Sequence, residues 1–275
     1  MIIQGVTITG AEEINDGLIV NGLQLYLDTR NPRSWPGAGQ TWYDLSGNNK
    51  HATFYKNTSK VNNGGGVVND GTAINGTDLT NNGSNDLYFN GTSGSGLYQF
   101  ATGPNVGTNL TVYTISTWFY LNSLVTTAEY PCVFSLGEYT ANGVGTPNGG
   151  SVNGALMFFN GFSANDNKLY AGFWDGGWKY TSSGYAVSTA TWYHAVMTYD
   201  GSNIKLYINN TLINSTATAS ASTALVSNLG YRVGRRWDAF DSLDAYIPIA
   251  MVYNRALTSA ELTQNFNYHR SRYGV

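Results

Sequence analysis

Two neighbouring segments in the last third of the chain restrict the fold more than any other feature. Trp192–Tyr199 is rich in aromatic and β-branched residues, and Ile204–Ile208 alternates strictly between apolar and other residues. The intervening Asp200-Gly201-Ser202-Asn203 consists of residues that favour turns. Because successive side chains of a β-strand point to opposite faces, this pattern predicts two strands. Together the segments predict an antiparallel β-hairpin.

The same period of two recurs in segments far from this hairpin. In Tyr113–Leu121 the alternation produces two faces, one of which carries Trp118 and Tyr120. Leu23–Asp28 and residues 246–253 are predicted strands on the same ground. The chain is therefore expected to build antiparallel sheets from strands that are distant in sequence.

Helix is predicted only in the tail of the chain. Thr258-Ser259-Ala260-Glu261 has the spacing of a capping box, and Leu262 and Phe266 follow one turn apart. Residues 57–109 are rich in Asn and Gly and contain only brief apolar islands, which is typical of short strands between long loops. Without a repeat or linker, we expect residues 23–275 to form one sandwich domain with a helical tail.

The polar surface of the chain is unusual because it depends little on charge. Charged residues make up 11% of the chain, against about 25% in an ordinary soluble domain. The 31 asparagines equal all Lys, Arg, Asp and Glu residues together, 14 plus 17. Such residues favour turns and loops, which again indicates many short strands rather than helices.

Composition also argues against several classes of protein. The net charge of −3 provides no basic surface for nucleic acid. No apolar stretch approaches the 18 residues that typify a membrane-spanning helix, and no signal peptide is visible at Met1–Gly5. Cys132, the single cysteine, is expected to be a small buried hydrophobic residue.

The first 22 residues are expected to form a separate N-terminal arm. Ile2, Ile3, Val6 and Ile8 make it too apolar to stay free in solvent, and it is too short to form its own core. Addition of one strand to the sheet edge of a partner would satisfy its backbone groups. We therefore expect residues 1–22 to contact another chain.

Four segments resemble the concanavalin A-like lectin/glucanase superfamily, and within it the laminin G-like branch. The resemblance spans roughly residues 23–266 and lies in Leu25–Asp28 with Trp42–Asn48, in Thr114–Phe119, in Trp192–Gly201 with Lys205–Asn209, and in Ile249–Thr258 with Glu261-Leu262. It implies an all-β, concanavalin A-like antiparallel sandwich of the jelly-roll type with a short C-terminal helix.

A narrower resemblance points to laminin G-like proteins of tailed bacteriophages. It rests on Asn31–Gly37 and on the closing residues 264–268 and 272–275. It implies a non-enzymatic structural protein at the virion surface, on capsid or tail, that contacts other virion proteins through the 1–22 arm and forms a homo-oligomer. We favour a capsid decoration or cement protein, because no fibre-like stalk precedes the sandwich. The alternative is an adhesin of the tail or fibre that binds host surface polysaccharide.

The glucanases of the superfamily use two carboxylates placed two residues apart along one strand face. In this chain no two Asp or Glu residues are separated by two positions. His51, His194 and His269 have no nucleophile motif nearby, and His194 is expected to face the core with a bond to the backbone. We therefore expect that this chain is not a hydrolase.

Laminin G-like domains often hold calcium near one edge of the sandwich, and this resemblance makes Ca²⁺ a candidate ligand here. Asp238, Asp241 and Asp244 supply the carboxylates that calcium prefers. Their spacing matches no calcium-binding template, so a solvated acidic loop is the favoured interpretation.

The aromatic segment Phe173–Tyr180 provides the best candidate for a glycan site. Trp174 and Trp178 flank a Gly-Gly turn, with Asp175 and Tyr180 beside them, and Trp237 with Asp238 would add to such a site. Aromatic faces stack on the apolar faces of sugar rings, while a nearby Asp fixes the hydroxyls. The alternative is a hairpin whose aromatic residues pack against neighbours, which is the more usual role of tryptophan.

Overall fold

The computed structural model describes residues 17–57, 72–76, 79, 85–91, 98–107, 110–124, 130–136, 154–160, 166–174, 178–218, 230–236 and 243–275. In chain order the strands are β1 (Leu23–Asp28), β2 (Thr41–Trp42), β3 (Ala52–Asn57), β4 (Thr72–Ala73), β5 (Tyr88–Phe89), β6 (Tyr98–Gly103), β7 (Tyr113–Leu121), β8 (Cys132–Leu136), β9 (Gly154–Phe159), β10 (Lys168–Trp174), β11 (Trp178–Tyr180), β12 (Tyr185–Ala186), β13 (Trp192–Tyr199), β14 (Asn203–Ile208), β15 (Thr211–Ala217), β16 (Tyr231–Val233) and β17 (Ala245–Tyr253), followed by helix α1 (Ser259–Arg270).

These strands form two antiparallel sheets. The first sheet has the order β1-β17-β7-β13-β14-β15, with β5 beside β17. The second has the order β11-β10-β9-β8-β16-β6-β3-β2, with β12 beside β10 and β4 beside β3. The predicted hairpin is β13 and β14, in register from Ala195 opposite Ile208 to Tyr199 opposite Ile204. The predicted all-β sandwich with one short C-terminal helix is confirmed.

The main core fills the space between the two sheets. Alternate residues of each central strand point into it, such as Ile115 and Phe119 on β7 and Phe134 on β8, and all three are fully buried. Cys132 is also fully buried, as predicted, on the opposite face of β8. Burial of large aromatic and aliphatic side chains at roughly 25 cal/mol per Å² is the dominant force that holds the sheets together.

A second apolar layer covers the outer face of the first sheet, which is the face that points away from the main core. Trp118 of β7 lies at its centre, with its ring stacked 5.8 Å from Phe266 of α1 and 4.5 Å from Tyr273. The predicted capping box begins this helix: Thr258 Oγ1 accepts from the Glu261 amide, and the Glu261 carboxylate accepts from the Thr258 amide. The tail therefore closes the outer face of the first sheet.

The segment Trp42–Asn48, which carries part of the family resemblance, has a structural role. Asp44 is buried and accepts hydrogen bonds from the amides of Tyr26, Ser46 and Lys50. One carboxylate thereby joins strand β1 to the loop after β2. This satisfies three backbone donors, among them the buried Tyr26 amide, which would be costly to leave without a hydrogen-bond partner.

One ion pair and one hydrogen bond join the segment after α1 to the region around the end of β1. Arg272 donates to Asp28 over 2.6 Å, and Arg30 forms a bidentate pair with Asp86 over 2.7 and 2.5 Å. Arg30 also donates to the backbone carbonyl of Arg272 and lies 4.4 Å from the ring centre of Tyr273. The planar guanidinium groups suit this arrangement, because each can donate to several acceptors at fixed angles.

The described part of the N-terminal arm, residues 17–22, contacts the sandwich. Leu18 is buried in the layer beneath α1, the Ile19 amide donates to Asn265, and the Ile19 carbonyl accepts from Tyr253. Residues 1–16 lie outside the described residues, so the predicted contact of the arm with another chain stays a prediction. In the part of the chain that the structure describes, no helix is long and apolar enough to cross a membrane.

Candidate functional site

The aromatic hairpin predicted from Phe173–Tyr180 is present as strands β10 and β11. Trp174 is paired with Trp178, and Gly172 with Tyr180. A side chain at Gly172 would lie 2.6 Å from the Lys179 carbonyl oxygen, so glycine is needed for the strands to approach this closely. Of the predicted glycan residues, Trp174 is described through its backbone alone, and Asp175 and Trp237 lie outside the described residues.

Trp178 and Tyr180 belong to an aromatic cluster on the outer face of the second sheet. We call it the hairpin cluster; its members are Tyr130, Phe158, Tyr170, Trp178 and Tyr180. Phe158 is fully buried at its centre, with ring centroids 5.8 Å from Tyr170 and 6.3 Å from both Trp178 and Tyr180. The structure thus joins two of the predicted residues to three that sequence reasoning missed.

Polar and cationic groups border this cluster. The Tyr170 hydroxyl donates to Asp166 over 2.6 Å. Burial, together with this hydrogen bond and the negative charge of Asp166, raises the pKa of Tyr170 to about 12, so the hydroxyl remains a donor at neutral pH. On the other side, the Arg236 guanidinium lies 5.2 Å from the ring centre of Tyr130. The cluster therefore combines ring faces with a hydroxyl, a carboxylate and a cation.

The cluster has features of both interpretations that the sequence left open. Tyr130, Trp178 and Tyr180 are partly exposed, and each also packs against the buried apolar residues of the cluster. Rings fixed in this way keep few rotamers to lose on binding, which favours recognition by a preorganised surface.

Asp244 is the one predicted calcium ligand among the described residues, since Asp238 and Asp241 lie outside them. Its two carboxylate oxygens accept hydrogen bonds from Tyr88 and from Ser123. Within the described residues, no group of three His, Cys, Asp or Glu side chains is arranged to hold a metal ion. Asp244 thus has a local structural role in joining β5 to the loop after β7.

The acidic residues in the described ranges all take part in structural hydrogen bonds. Their partners are Tyr26 and Arg272 for Asp28, the 44–50 loop for Asp44, Arg30 for Asp86, Tyr170 for Asp166, Lys205 for Asp200, Tyr88 and Ser123 for Asp244, and Arg255 for Glu261. Each carboxylate is thereby committed to holding a loop, a strand end or the helix.

A serine and a histidine lie within hydrogen-bond distance beneath helix α1. Ser116 Oγ and His194 Nε2 are 2.8 Å apart, and both residues are almost completely buried. Burial lowers the pKa of His194 to about 3, and His194 Nδ1 has no hydrogen-bond partner among the described residues. A catalytic serine–histidine pair needs access for the substrate and a third group that orients the histidine. The burial of both residues and the unpartnered Nδ1 do not meet these needs in the described part of the chain.

The predicted hydrogen bond from the His194 ring to the backbone was wrong. The ring instead bonds to the side chain of Ser116 on the neighbouring strand β7.

A second aromatic surface, which the sequence did not reveal, lies on the outer face of the first sheet. Trp192, Tyr120, Tyr246 and Tyr88 occupy one row across β13, β7, β17 and β5, each opposite the next. We call this set the aromatic row. All four side chains are partly exposed. The row depends on pairing between strands distant in sequence, which no local pattern contains.

Comparison with known families gives this geometry a context. Residues 92–263, more than half of the chain, match the laminin G family of the concanavalin A-like lectin/glucanases superfamily. The chain belongs to this family. The sequence has no significant match among curated proteins. The laminin G assignment agrees with the resemblance found in the strands and with the observed sandwich.

Solved structures of the same fold include proteins that contact sugars. Domain 4 of an extracellular arabinanase from Geobacillus stearothermophilus, in complex with arabinotriose, is 16% identical with a TM-score of 0.58, over 88% of this chain and 97% of that one. A botulinum neurotoxin type C structure, from work on cell entry through two ganglioside molecules, is 16% identical with a TM-score of 0.58, over 91% and 52%. Trypanosoma rangeli sialidase with sialic acid is 15% identical with a TM-score of 0.53, over 89% and 32%. This chain thus spans about half of the toxin chain and a third of the sialidase, and at these identities the likeness is one of fold.

Proposed function

We propose that this laminin G protein is a non-catalytic glycan-binding module whose binding surface is the hairpin cluster. The observation that carries the proposal is the set of partly exposed rings fixed around buried Phe158, with the Tyr170 hydroxyl and Asp166 beside them. Ring faces supply stacking surface for the apolar faces of sugars, and the polar groups supply hydrogen bonds to hydroxyls. The sugar complexes of other proteins with this fold, such as the arabinanase domain with arabinotriose, support this assignment.

The absence of catalysis is part of the same proposal. Glycoside hydrolysis needs one carboxyl group to protonate the leaving oxygen and a second to attack or activate water. The acidic residues in the described ranges are held in hydrogen bonds to other parts of the fold, and Glu261 forms a bidentate pair with Arg255 over 2.7 and 2.8 Å. Such groups are poorly suited to exchange protons with a substrate.

The setting that we propose is the surface of a bacteriophage particle, on capsid or tail. The two segments that resemble phage proteins both contact Asp28 at the end of β1: Ser34 of the first accepts from the Asp28 amide, and Arg272 of the second donates to the Asp28 carboxylate. In this setting the module would contact other virion proteins through the 1–22 arm, assemble as a homo-oligomer and touch host polysaccharide. Electron microscopy of purified phage particles, labelled with an antibody against this protein, tests the proposed location. Particles that carry no label would contradict it.

The binding function is tested by affinity electrophoresis of the full chain through gels that contain soluble polysaccharides. We expect retardation by at least one polymer, and we expect Trp178→Ala to reduce it severalfold, since truncation takes away one wall of the cluster. Tyr43→Ala is the matched control, because Tyr43 is an exposed aromatic residue next to β2 at the opposite edge of the second sheet.

Two outcomes contradict the proposal. Migration that no polymer in the panel alters contradicts glycan binding. Release of reducing ends from a bound polymer, abolished by one Asp or Glu substitution, contradicts the absence of catalysis.

A further inference from the structure

The aromatic row on the first sheet has the geometry of a binding surface. Trp192, Tyr120, Tyr246 and Tyr88 follow one another across four adjacent strands, with ring centroids 5.3, 5.8 and 5.3 Å apart. We propose that the aromatic row is a second glycan-binding site, specific for an extended, uncharged saccharide chain. It uses no residue of the hairpin cluster and lies on the other sheet, so it stands or falls independently of the first site.

The row is supported from one side and open on the other. Buried Tyr273 packs 4.6 Å from Trp192 and continues the stack to Trp118. The four rings of the row remain partly exposed. Polar residues would be equally compatible with solubility at these four strand positions. A contiguous apolar patch on a protein surface marks an interaction site more often than scattered apolar residues do.

The spacing and tilt of the rings suit a single saccharide chain. Neighbouring strands lie about 4.8 Å apart, and the observed ring separations of 5.3 to 5.8 Å resemble the length of one pyranose ring in an extended polymer. Adjacent ring planes are inclined by 52°, 75° and 42°. A flat crystalline polysaccharide surface needs coplanar rings, so the tilt favours a twisted, soluble chain that meets one ring after another.

The charges around the row favour an uncharged ligand. Asp244 lies at the Tyr88 end, where its carboxylate accepts a hydrogen bond from that phenol. Burial first, and then nearby Tyr120, Asp86 and Asp244, raise the pKa of Tyr246. The Asp244 carboxylate places a negative charge at the Tyr88 end of the row, and this charge opposes carboxylated or sulfated sugars as well as the phosphates of nucleic acid. Asp86 adds little to this charge, because it forms an ion pair with Arg30.

A protein partner is less well matched to this surface than a saccharide. Stable protein interfaces bury about 800 Å² on each side around a tightly packed apolar centre. The row is one residue wide along each strand and has tyrosine hydroxyls on three of its four rings. Such a narrow strip, with donors and acceptors at its margin, resembles a groove for a linear chain carrying hydroxyl groups.

The test uses the full chain in affinity gels containing linear arabinan, galactomannan, mixed-linkage β-glucan or, as the acidic counterpart, polygalacturonate. We expect Tyr246→Ala and Trp192→Ala to weaken binding to a neutral polymer by about tenfold, the scale of one or two lost ring contacts. Tyr246→Phe should retain most of the affinity, because it keeps the ring. Tyr207→Ala is the matched control, a partly exposed tyrosine on the same face that lies outside the row.

The folded state of each variant is checked by its thermal unfolding midpoint. If the alanine variants do not fold, hydrogen exchange of the wild-type chain decides instead, with oligosaccharides cut from the polymer that retards it. Slower exchange at residues 119–124 and 243–247 is then expected, and unchanged exchange there overturns the inference.

The outcomes separate the two sites. Loss of binding in the Trp178→Ala variant with none in the row variants overturns the aromatic row and leaves the hairpin cluster intact. Loss in the row variants alone supports the row and contradicts the hairpin cluster. If polygalacturonate is the only polymer that retards the chain, the proposal of an uncharged ligand is overturned. If the wild-type chain is a dimer in solution and Tyr246→Ala dissociates it, a second copy of the chain covers the row, and the proposal of a glycan site there is overturned.

Discussion

Asp28 and Arg272 form an ion pair with 2.6 Å between carboxylate and guanidinium, although they are 244 residues apart in the chain. The Asp28 side chain has no solvent exposure, and it also accepts a hydrogen bond from Tyr26. The ion pair joins the end of the first strand to the segment after the helix. It therefore makes the position of the tail depend on the first strand.

Replacement of this arginine should be strongly destabilising. We expect Arg272→Met to lower the free energy of unfolding by about 3 kcal/mol, because it leaves a buried carboxylate without its cation. Urea unfolding followed by tryptophan fluorescence measures the loss. Arg270→Met is the control, since Arg270 is two residues away and exposed; equal losses in the two variants would contradict the role of the ion pair.

The two buried histidines should make stability depend on pH. Burial lowers the pKa of His194 and of His269 to about 3, helped by their mutual repulsion for His194 and by Arg272 for His269. In the unfolded chain histidine titrates near 6.5. Between the folded and unfolded pKa values, the unfolded state binds protons that the folded state does not bind. The free energy of unfolding therefore falls as pH decreases from about 6.5 toward 3.

This pH dependence can be assigned with a variant. The midpoint of urea unfolding should decrease steadily from pH 7 to pH 4 in the wild type, and less steeply in His269→Gln. His51→Gln is the control, because His51 lies in a surface loop outside this layer. A midpoint that is constant from pH 7 to pH 5 would rule out the two buried histidines as the cause.

Much of the fold followed from local pattern in the sequence. Three features depend only on residues that are close together in the sequence. They are the capping box at Thr258 and Glu261, the hairpin of β13 and β14, and the strand Tyr113–Leu121. Their backbone preferences and side-chain periods agree with the tertiary structure, so a single segment is enough to predict each of them.

The two proposed binding surfaces were harder to predict because they arise from register between distant strands. Tyr120 and Tyr246 face each other only because β7 pairs with β17, and an irregularity in that pairing between Tyr246 and Ile249 shifts the register. Phe158 likewise meets Trp178 only across β10. The sequence could place Trp178 and Tyr180 in one hairpin because that hairpin is local, whereas the residues that pack against them come from distant strands.

The helix cap provides a prediction of moderate size. We expect Thr258→Ala to lower the free energy of unfolding by about 1 kcal/mol, the usual loss for a side chain that caps a helix. Hydrogen bonds from Arg255, and from Thr258, lower the pKa of Glu261 to about 2. Glu261 therefore stabilises the fold above its unfolded pKa, and this contribution is lost as pH falls toward 2. Ser259→Ala, next in sequence and exposed, should leave the unfolding midpoint unchanged.

A glycine connects packing to the proposed glycan site. Gly172→Ala would place a methyl group 2.6 Å from the Lys179 carbonyl and 2.7 Å from Tyr180 Cβ. We expect the β10–β11 hairpin to open by a few tenths of an ångström and the Tyr180 ring to move. The thermal midpoint should fall modestly, because the hairpin is at a sheet edge, while retardation in polysaccharide gels should fall severalfold. Unchanged retardation would show that the exact spacing of this hairpin is unimportant for binding.

The position of β17 sets the order in which the chain can fold as it is made. This last strand lies between β7 on one side and β1 and β5 on the other, and Tyr253 pairs with Leu23. At a synthesis rate of roughly 5–20 residues per second, β1 leaves the ribosome some tens of seconds before its partner. Until β17 has been made, β1 lacks the strand that it pairs with in the first sheet, so formation of this sheet depends on slow, long-range contacts. An unpaired strand edge can pair with another chain, so we expect this topology to make the nascent protein prone to aggregation until β1 and β17 have met.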